Sequence, residues 1–141
     1  GTGDLLGETK EKAERLALSD SIKFLGMRSD IDSLVSASDV FLFPSLYEGL
    51  PVTMVEAQSS GIKCFISDAV PSQCIITSDV SVLSLKESAK RWAEKISVLQ
   101  NGYERKDRYE DMVKANFDIK KNAEWLQNFY IQQYKKAYGN T

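Results

Sequence analysis

Residues 37–68 read ASDVFLFPSLYEGLPVTMVEAQSSGIKCFISD. Val40 to Phe43 run without a polar interruption and stop at Pro44, as a strand buried on both faces does. Pro51 suits the first position of a helix reaching about Ser60, and Gly61 suits its C-terminal end. The run "IKCFIS" is again a short apolar strand. Strand, helix and strand in immediate succession make a βαβ unit, which implies a parallel sheet.

The flanking sequence extends the pattern. "SIKFLG" (21–26) reads as a short strand ended by Gly26, and "SDIDSLVSAS" as a short helix with Ser29 or Asp30 at its start. "DAVPSQC" reads as loop and "VSVLSL" (80–85) as a fourth strand. Asp4 can cap a helix from about Leu5 to Leu18. A helix over 86–100 carries Ala89, Trp92, Ala93, Ile96 and Leu99 on one stripe. After the Asn101-Gly102 turn, helices are expected over 103–115 and 119–138, the latter carrying Trp125, Leu126, Phe129, Tyr130 and Tyr134, whose aromatic rings are expected to pack. The fold class is α/β: an open, doubly wound, mostly parallel sheet with a helical C-terminal extension. Ligands of such sheets sit outside the carboxyl ends of the strands. There "VFLFP" hands the chain to "SLYEGLP".

Composition narrows the chemistry. The 141 residues, 43% hydrophobic and 27% charged, fit a single domain over 1–141. A net charge of -2 gives no global reason to expect nucleic acid or an acidic membrane as partner. Histidine is absent, which removes the commonest general base and the usual zinc ligand. Cys64 lies in an apolar run and reads as a buried free thiol, which suits a reducing cytosol. No apolar run approaches the ~20 residues of a membrane helix, and no signal peptide is seen. "GTGDLLGETK" opens on a glycine turn with no strand to feed it, so the chain is expected to be an N-terminally truncated fragment.

Two glutamates flank the central helix start. Leu50, before Pro51, has no side chain that can cap, so the amides of Leu50, Val52 and Thr53 are candidate free donors. With the helix dipole they suit an anion such as phosphate, and Gly49 lets the backbone approach a ligand closely. Glu56 lies about 7.5 Å along the axis from Pro51 and tilts back towards the helix start. A carboxylate repels phosphate, so Glu56 would accept from hydroxyls, such as those of a ribose, and Glu48 from those of a sugar. Both could equally be solvated surface charges.

Residues 48–57, EGLPVTMVEA, resemble the E-x7-E motif of retaining GT-B glycosyltransferases of family four, most closely those that assemble capsular and exopolysaccharides. "FLG" at 24–26, "ASDVFLFPS", "AQSSGIKCFISD", "GTGDLL" and "SLKESAKRWAEKI" support the likeness in order. The resemblance implies the C-terminal, donor-binding, Rossmann-like half of a two-domain GT-B enzyme, a hexosyltransferase moving a sugar from a nucleotide diphosphate to a polysaccharide or lipid-linked acceptor. It implies Glu48 as the catalytic residue contacting the donor sugar, and Glu56 on the ribose hydroxyls. Gly49, Leu50, Pro51, Val52 and Thr53 would face the diphosphate, Met27 and Arg28 the base, and Gly3 the cleft. Arg28 reads as readily as a surface charge, and a last helix that crosses to the other domain, as the resemblance allows, would leave part of its aromatic stripe exposed.

No metal or other cofactor is expected. The implied partners are the nucleotide-sugar donor and an acceptor domain of the same chain, with no nucleic acid. The implied location is cytoplasmic, with peripheral association at the inner face of the membrane left open. Two positions depart from the family: Pro51 replaces a glycine, and Gln73 stands where relatives carry glutamate. The family's phosphate-binding arginine and lysine fall before Gly1, so the fragment alone is expected to be inactive. The alternative is a non-catalytic α/β module that binds nucleotides or proteins.

Overall fold

A computed structural model describes residues 2–139, which divide into two compact units between Ser33 and Leu34. In the first unit, α1 spans Leu6–Arg15. It ends before the expected Leu18 because Ala17 turns left-handed, with φ 54°. The Ala17 and Leu18 amides then donate back to the Glu14 and Ala13 carbonyls at 2.9 Å each, a closing pattern that satisfies the last turn. No side chain caps the start, so Asp4 does not play its expected part. Residues 21–26 form no strand. The strands of the described residues all lie in the second unit and pair with one another, and a strand exists only through its ladder.

α2 (Ile31–Ala37) crosses the division. The second unit then runs β1 (Val40–Phe43), α3 (Val52–Ser59), β2 (Lys63–Ser67), a 3-10 turn (Ser72–Cys74), β3 (Val80–Leu83), α4 (Ala89–Ser97), α5 (Tyr109–Lys114) and α6 (Ile119–Tyr138). The strands pair in parallel in the order β1-β2-β3, with Phe41 opposite Cys64 and Cys64 opposite Val80. Side chains alternate across the sheet. Phe41, Phe43, Cys64, Ile66 and Val80 pack on one face with Met54 and Ala57 of α3. Phe65, Leu83 and Val40 pack on the other with Trp92 and Ile96 of α4. The sheet is thus covered on both faces, as in a Rossmann-like α/β domain. Met54 and Ile66 are fully buried, each stabilising by roughly 1.5–3 kcal/mol.

α4 starts three residues later than the first position expected for it, because Ser88 caps it by accepting the Arg91 amide at 3.3 Å. The Trp92 indole donates to the Ser84 carbonyl at 3.1 Å, which satisfies its one polar atom in the core. Cys64 and Cys74 are free and buried. Burial, helped by the charge of Asp79, pushes the Cys64 thiol up to about 12.

The helix expected over 103–115 shortens to Tyr109–Lys114, because residues 103–106 form a strap across the amino ends of β1 and β2. The Tyr103 hydroxyl donates to the Asp39 carbonyl at 2.5 Å and accepts the Lys63 amide at 3.0 Å. Arg105 donates to the carbonyls of Ser36 (2.6 Å) and Ser38, fastening the end of α2. These long-range bonds hold the strap outside a helical path. Beneath it, buried Asp79 meets Lys63 and Arg108, whose Nε lies 2.6 Å from Oδ2. Burial pushes the Asp79 carboxyl up, but the hydrogen bonds from Lys63 and Arg108 outweigh it and hold the group below its ordinary range.

α6 has the expected bounds, with Asp118 accepting the Lys121 amide at 2.9 Å. Its aromatic stripe differs from the expected packing role. Trp125, Phe129, Tyr130 and Tyr134 are all exposed, and the Trp125 and Phe129 rings stack on one another at 5.5 Å. Among the described residues no helix is long and apolar enough to cross a membrane.

Candidate functional site

The carboxyl end of β1 and the start of α3 together make the site. Phe43 is fixed in the sheet, Pro44 ends the strand, and residues 44–51 carry the chain to the helix. Pro51 occupies the capping position with ψ 100°, one place before the first helical residue that the sequence suggested for it, and no side chain caps α3. Met54 donates to the Pro51 carbonyl at 3.0 Å. The Val52 and Thr53 amides precede any helical partner and have no acceptor among the described residues. They point out of the first turn, where the positive end of the helix dipole adds to them.

Glu48 and Glu56 stand on either side of this start. Glu48 is half-buried, and its Oε1 accepts from Ser45 Oγ at 2.7 Å. The Ser45 carbonyl in turn accepts from Ser67 Oγ at 2.5 Å, tying the loop to the end of β2. Glu56 is exposed on the second turn of α3, with no side-chain partner among the described residues. Thr53, Leu50 and Val52 are also exposed, whereas Pro51 is buried. The loop turns its largest apolar side chains outward: Leu46 is 82% and Tyr47 87% exposed.

Gly49 is informative by what it does not need. A Cβ there would meet nothing within 4 Å, and its φ is not positive. Neither the chain's own packing nor its backbone geometry requires glycine at this position.

The structure brings Glu48, Gly49, Leu50, Pro51, Val52, Thr53 and Glu56 together around one helix start. Gly3, Met27 and Arg28 belong to the first unit. Gly3 accepts the Leu6 amide at 3.0 Å in the turn before α1, and Met27 is 83% exposed. Arg28 is engaged by Asp30 through both carboxylate oxygens, at 2.7 and 2.5 Å, which holds Asp30 below its ordinary range. Gln73 is exposed on the 3-10 turn after β2.

Sequence reasoning passed over three residues that shape the site. Gln58, fully buried on α3, donates to the carbonyls of Met54 (3.0 Å) and Cys74 (2.7 Å) and accepts the amides of Ile76 (2.9 Å) and Thr77 (3.0 Å). One polar residue four positions after Met54, on the apolar face of a short helix, is the signal that could have marked it. Ser45 and Ser67 carry no such signal, since single serines at strand ends are common.

Residues 1–117 match the glycosyl transferases group 1 family. The chain is similar to EpsF of Bacillus subtilis (strain 168), named as a glycosyltransferase, at 38% identity over 133 residues, 92% of this chain and 35% of that protein. It is similar to the UDP-Gal:alpha-D-GlcNAc-diphosphoundecaprenol alpha-1,3-galactosyltransferase of Escherichia coli, at 36% identity over 80 residues, 56% of this chain and 21% of that protein. A third relative is the N,N'-diacetylbacillosaminyl-diphospho-undecaprenol alpha-1,3-N-acetylgalactosaminyltransferase of Campylobacter jejuni, 33% identical over 126 residues, 85% of this chain and 31% of that protein. The chain therefore spans well under half the length of each of these relatives.

Proposed function

Because the chain belongs to the glycosyl transferases group 1 family, we propose that its second unit holds the nucleotide-diphosphate sugar of a retaining glycosyl transfer, as the donor-binding half of the whole enzyme. The observation that carries this reading is the uncapped start of α3 between two carboxylates. Free amides at Val52 and Thr53 and the helix dipole suit the diphosphate, whose charge grows as the glycosidic bond to the donor breaks. Charge repulsion keeps the carboxylates off the phosphates, so each serves hydroxyls. Glu56 accepts from the ribose, and Glu48 from the donor sugar, next to the carbon that changes partners. Gly49 leaves the room that the diphosphate needs. Retention rests on the likeness of residues 48–57 to the E-x7-E motif.

The names of the Escherichia coli and Campylobacter jejuni relatives specify diphosphoundecaprenol-linked sugars. On that likeness the acceptor is a lipid-linked or polysaccharide sugar, met by the enzyme at the cytoplasmic face of the membrane.

The test uses the full-length enzyme with a panel of nucleotide sugars and an undecaprenyl-diphosphate-linked acceptor. Turnover of one donor, with the new linkage keeping the donor's anomeric configuration by NMR, is the expected result. Glu56→Gln should raise donor KM by about tenfold, the loss of charge-assisted hydrogen bonds, while Glu48→Gln should mainly lower kcat. Wild-type donor affinity and turnover in both variants would overturn the assignment.

A further inference from the structure

Ser45 lies two residues beyond the last residue of β1, and its hydroxyl carries one hydrogen with two acceptors in reach. Glu48 Oε1 is at 2.7 Å and the Tyr47 carbonyl at 3.2 Å. The shorter contact goes to a carboxylate, and charge-assisted hydrogen bonds are both shorter and stronger, so the hydrogen points to Glu48. The Ser45 backbone is itself gripped: its carbonyl accepts from Ser67 Oγ at 2.5 Å. Ser67 is fully buried at the end of β2, the central strand of the sheet. Two hydrogen bonds thus lead from the central strand of the sheet to one oxygen of Glu48.

We propose that Ser45, anchored by Ser67, is a positioning residue that fixes which carboxylate oxygen of Glu48 meets the donor sugar. The proposal rests on the donor-binding reading of this site and deepens it. A glutamate on a loop has three side-chain torsions to settle, and ordering them opposes binding at the moment of reaction. With Oε1 engaged by Ser45 and Oε2 accepting from no donor among the described residues, the plane of the carboxylate is set before the donor arrives. Preorganisation of this kind acts on the step in which the sugar is displaced more than on capture of the nucleotide. Ser67 contributes at one remove, by holding the backbone from which the Ser45 hydroxyl is aimed.

The experiment compares Ser45→Ala, Ser45→Thr, Ser67→Ala, Glu48→Ala and the Ser45→Ala/Glu48→Ala double variant in the full-length enzyme. The donor is whichever of UDP-galactose, UDP-N-acetylglucosamine and GDP-mannose gives turnover. Loss of a hydrogen bond to a charged group predicts a fall in kcat of about tenfold for Ser45→Ala, with donor KM within about twofold of wild type. Ser45→Thr, which keeps the hydroxyl, recovers most of the rate, and Ser67→Ala gives a smaller loss in kcat. In the Glu48→Ala background, Ser45→Ala costs nothing further, because its only route to the reaction is gone. The proposal is overturned if Ser45→Ala turns over at the wild-type rate while Glu48→Ala does not, or if the two losses multiply. Wild-type turnover by Glu48→Ala alone overturns the role of Glu48 itself, and that outcome is separate from a failure confined to Ser45.

Discussion

Gln58 donates to the carbonyl of Cys74 at 2.7 Å and so joins α3 to the turn that follows β2. The same amide accepts from Ile76 and Thr77, so one buried side chain closes the gap between the helix of the site and the strand beyond it. The bonds matter because Gln58, Cys74 and Thr77 are buried away from water. An unsatisfied buried polar group costs about 1–3 kcal/mol. Gln58→Leu, which keeps the volume and removes the amide, should therefore lower stability by about 3 kcal/mol in urea denaturation at pH 7. A loss below about 0.5 kcal/mol would show that the turn holds itself.

Two glycines of this unit should answer substitution in opposite ways. Gly61 ends α3 at φ 71°, and a Cβ there would run into the Lys106 carbonyl of the strap. Gly61→Ala should cost about 2 kcal/mol or more, from the left-handed backbone and the collision together. Gly49→Ala meets open space and should leave stability within about 0.5 kcal/mol of wild type. If the donor diphosphate lies against Gly49, the same change weakens nucleotide-sugar binding. Thermal denaturation and donor titration, run on both variants, separate the two roles.

Acid should expose the contribution of Asp79. Burial raises its pKa, the hydrogen bonds from Lys63 and Arg108 lower it further than burial raises it, and the net folded value is depressed. A depressed carboxylate stabilises the folded chain at pH values above its unfolded pKa of about 3.9, and the contribution fades as pH falls through the folded value. Asp79→Asn should therefore lose about 3 kcal/mol at pH 7, since it leaves Arg108 without its buried partner. The gap to wild type should narrow steadily below about pH 4. Denaturant midpoints for both proteins from pH 7 to pH 3 provide the check, and a gap independent of pH would remove Asp79 as the cause.

Much of the site was legible because its elements are local. The apolar run ended by Pro44, Pro51 at the helix start and Gly61 at its end fix β1, α3 and β2 with little help from the rest of the chain. α6 was legible for the same reason, and the structure adds Asp118 as its cap. The misreadings arose where distant partners decide. Tyr103 and Arg105 bond to residues 36–39, more than 60 positions back, and this holds the strap out of the helix that local preference favours. "SIKFLG" has the composition of a strand, but composition does not supply a neighbouring strand. Gln58 and Ser67 looked ordinary because their importance lies in groups 16–22 residues away in the chain.

The strap and the site occupy opposite ends of the same strands. Tyr103 and Arg105 fasten the amino ends, while Gln58 and Ser67 fasten the two shoulders of the loop at the carboxyl ends. Residues 46–53 therefore run between two fixed points, with Glu48 tied to Ser45 and Pro51 buried, while Leu46, Tyr47 and Leu50 face outward. Leu46, Tyr47 and Leu50, all exposed, can be replaced without renegotiating the core, provided that the two serines and the glutamine at the clamps stay.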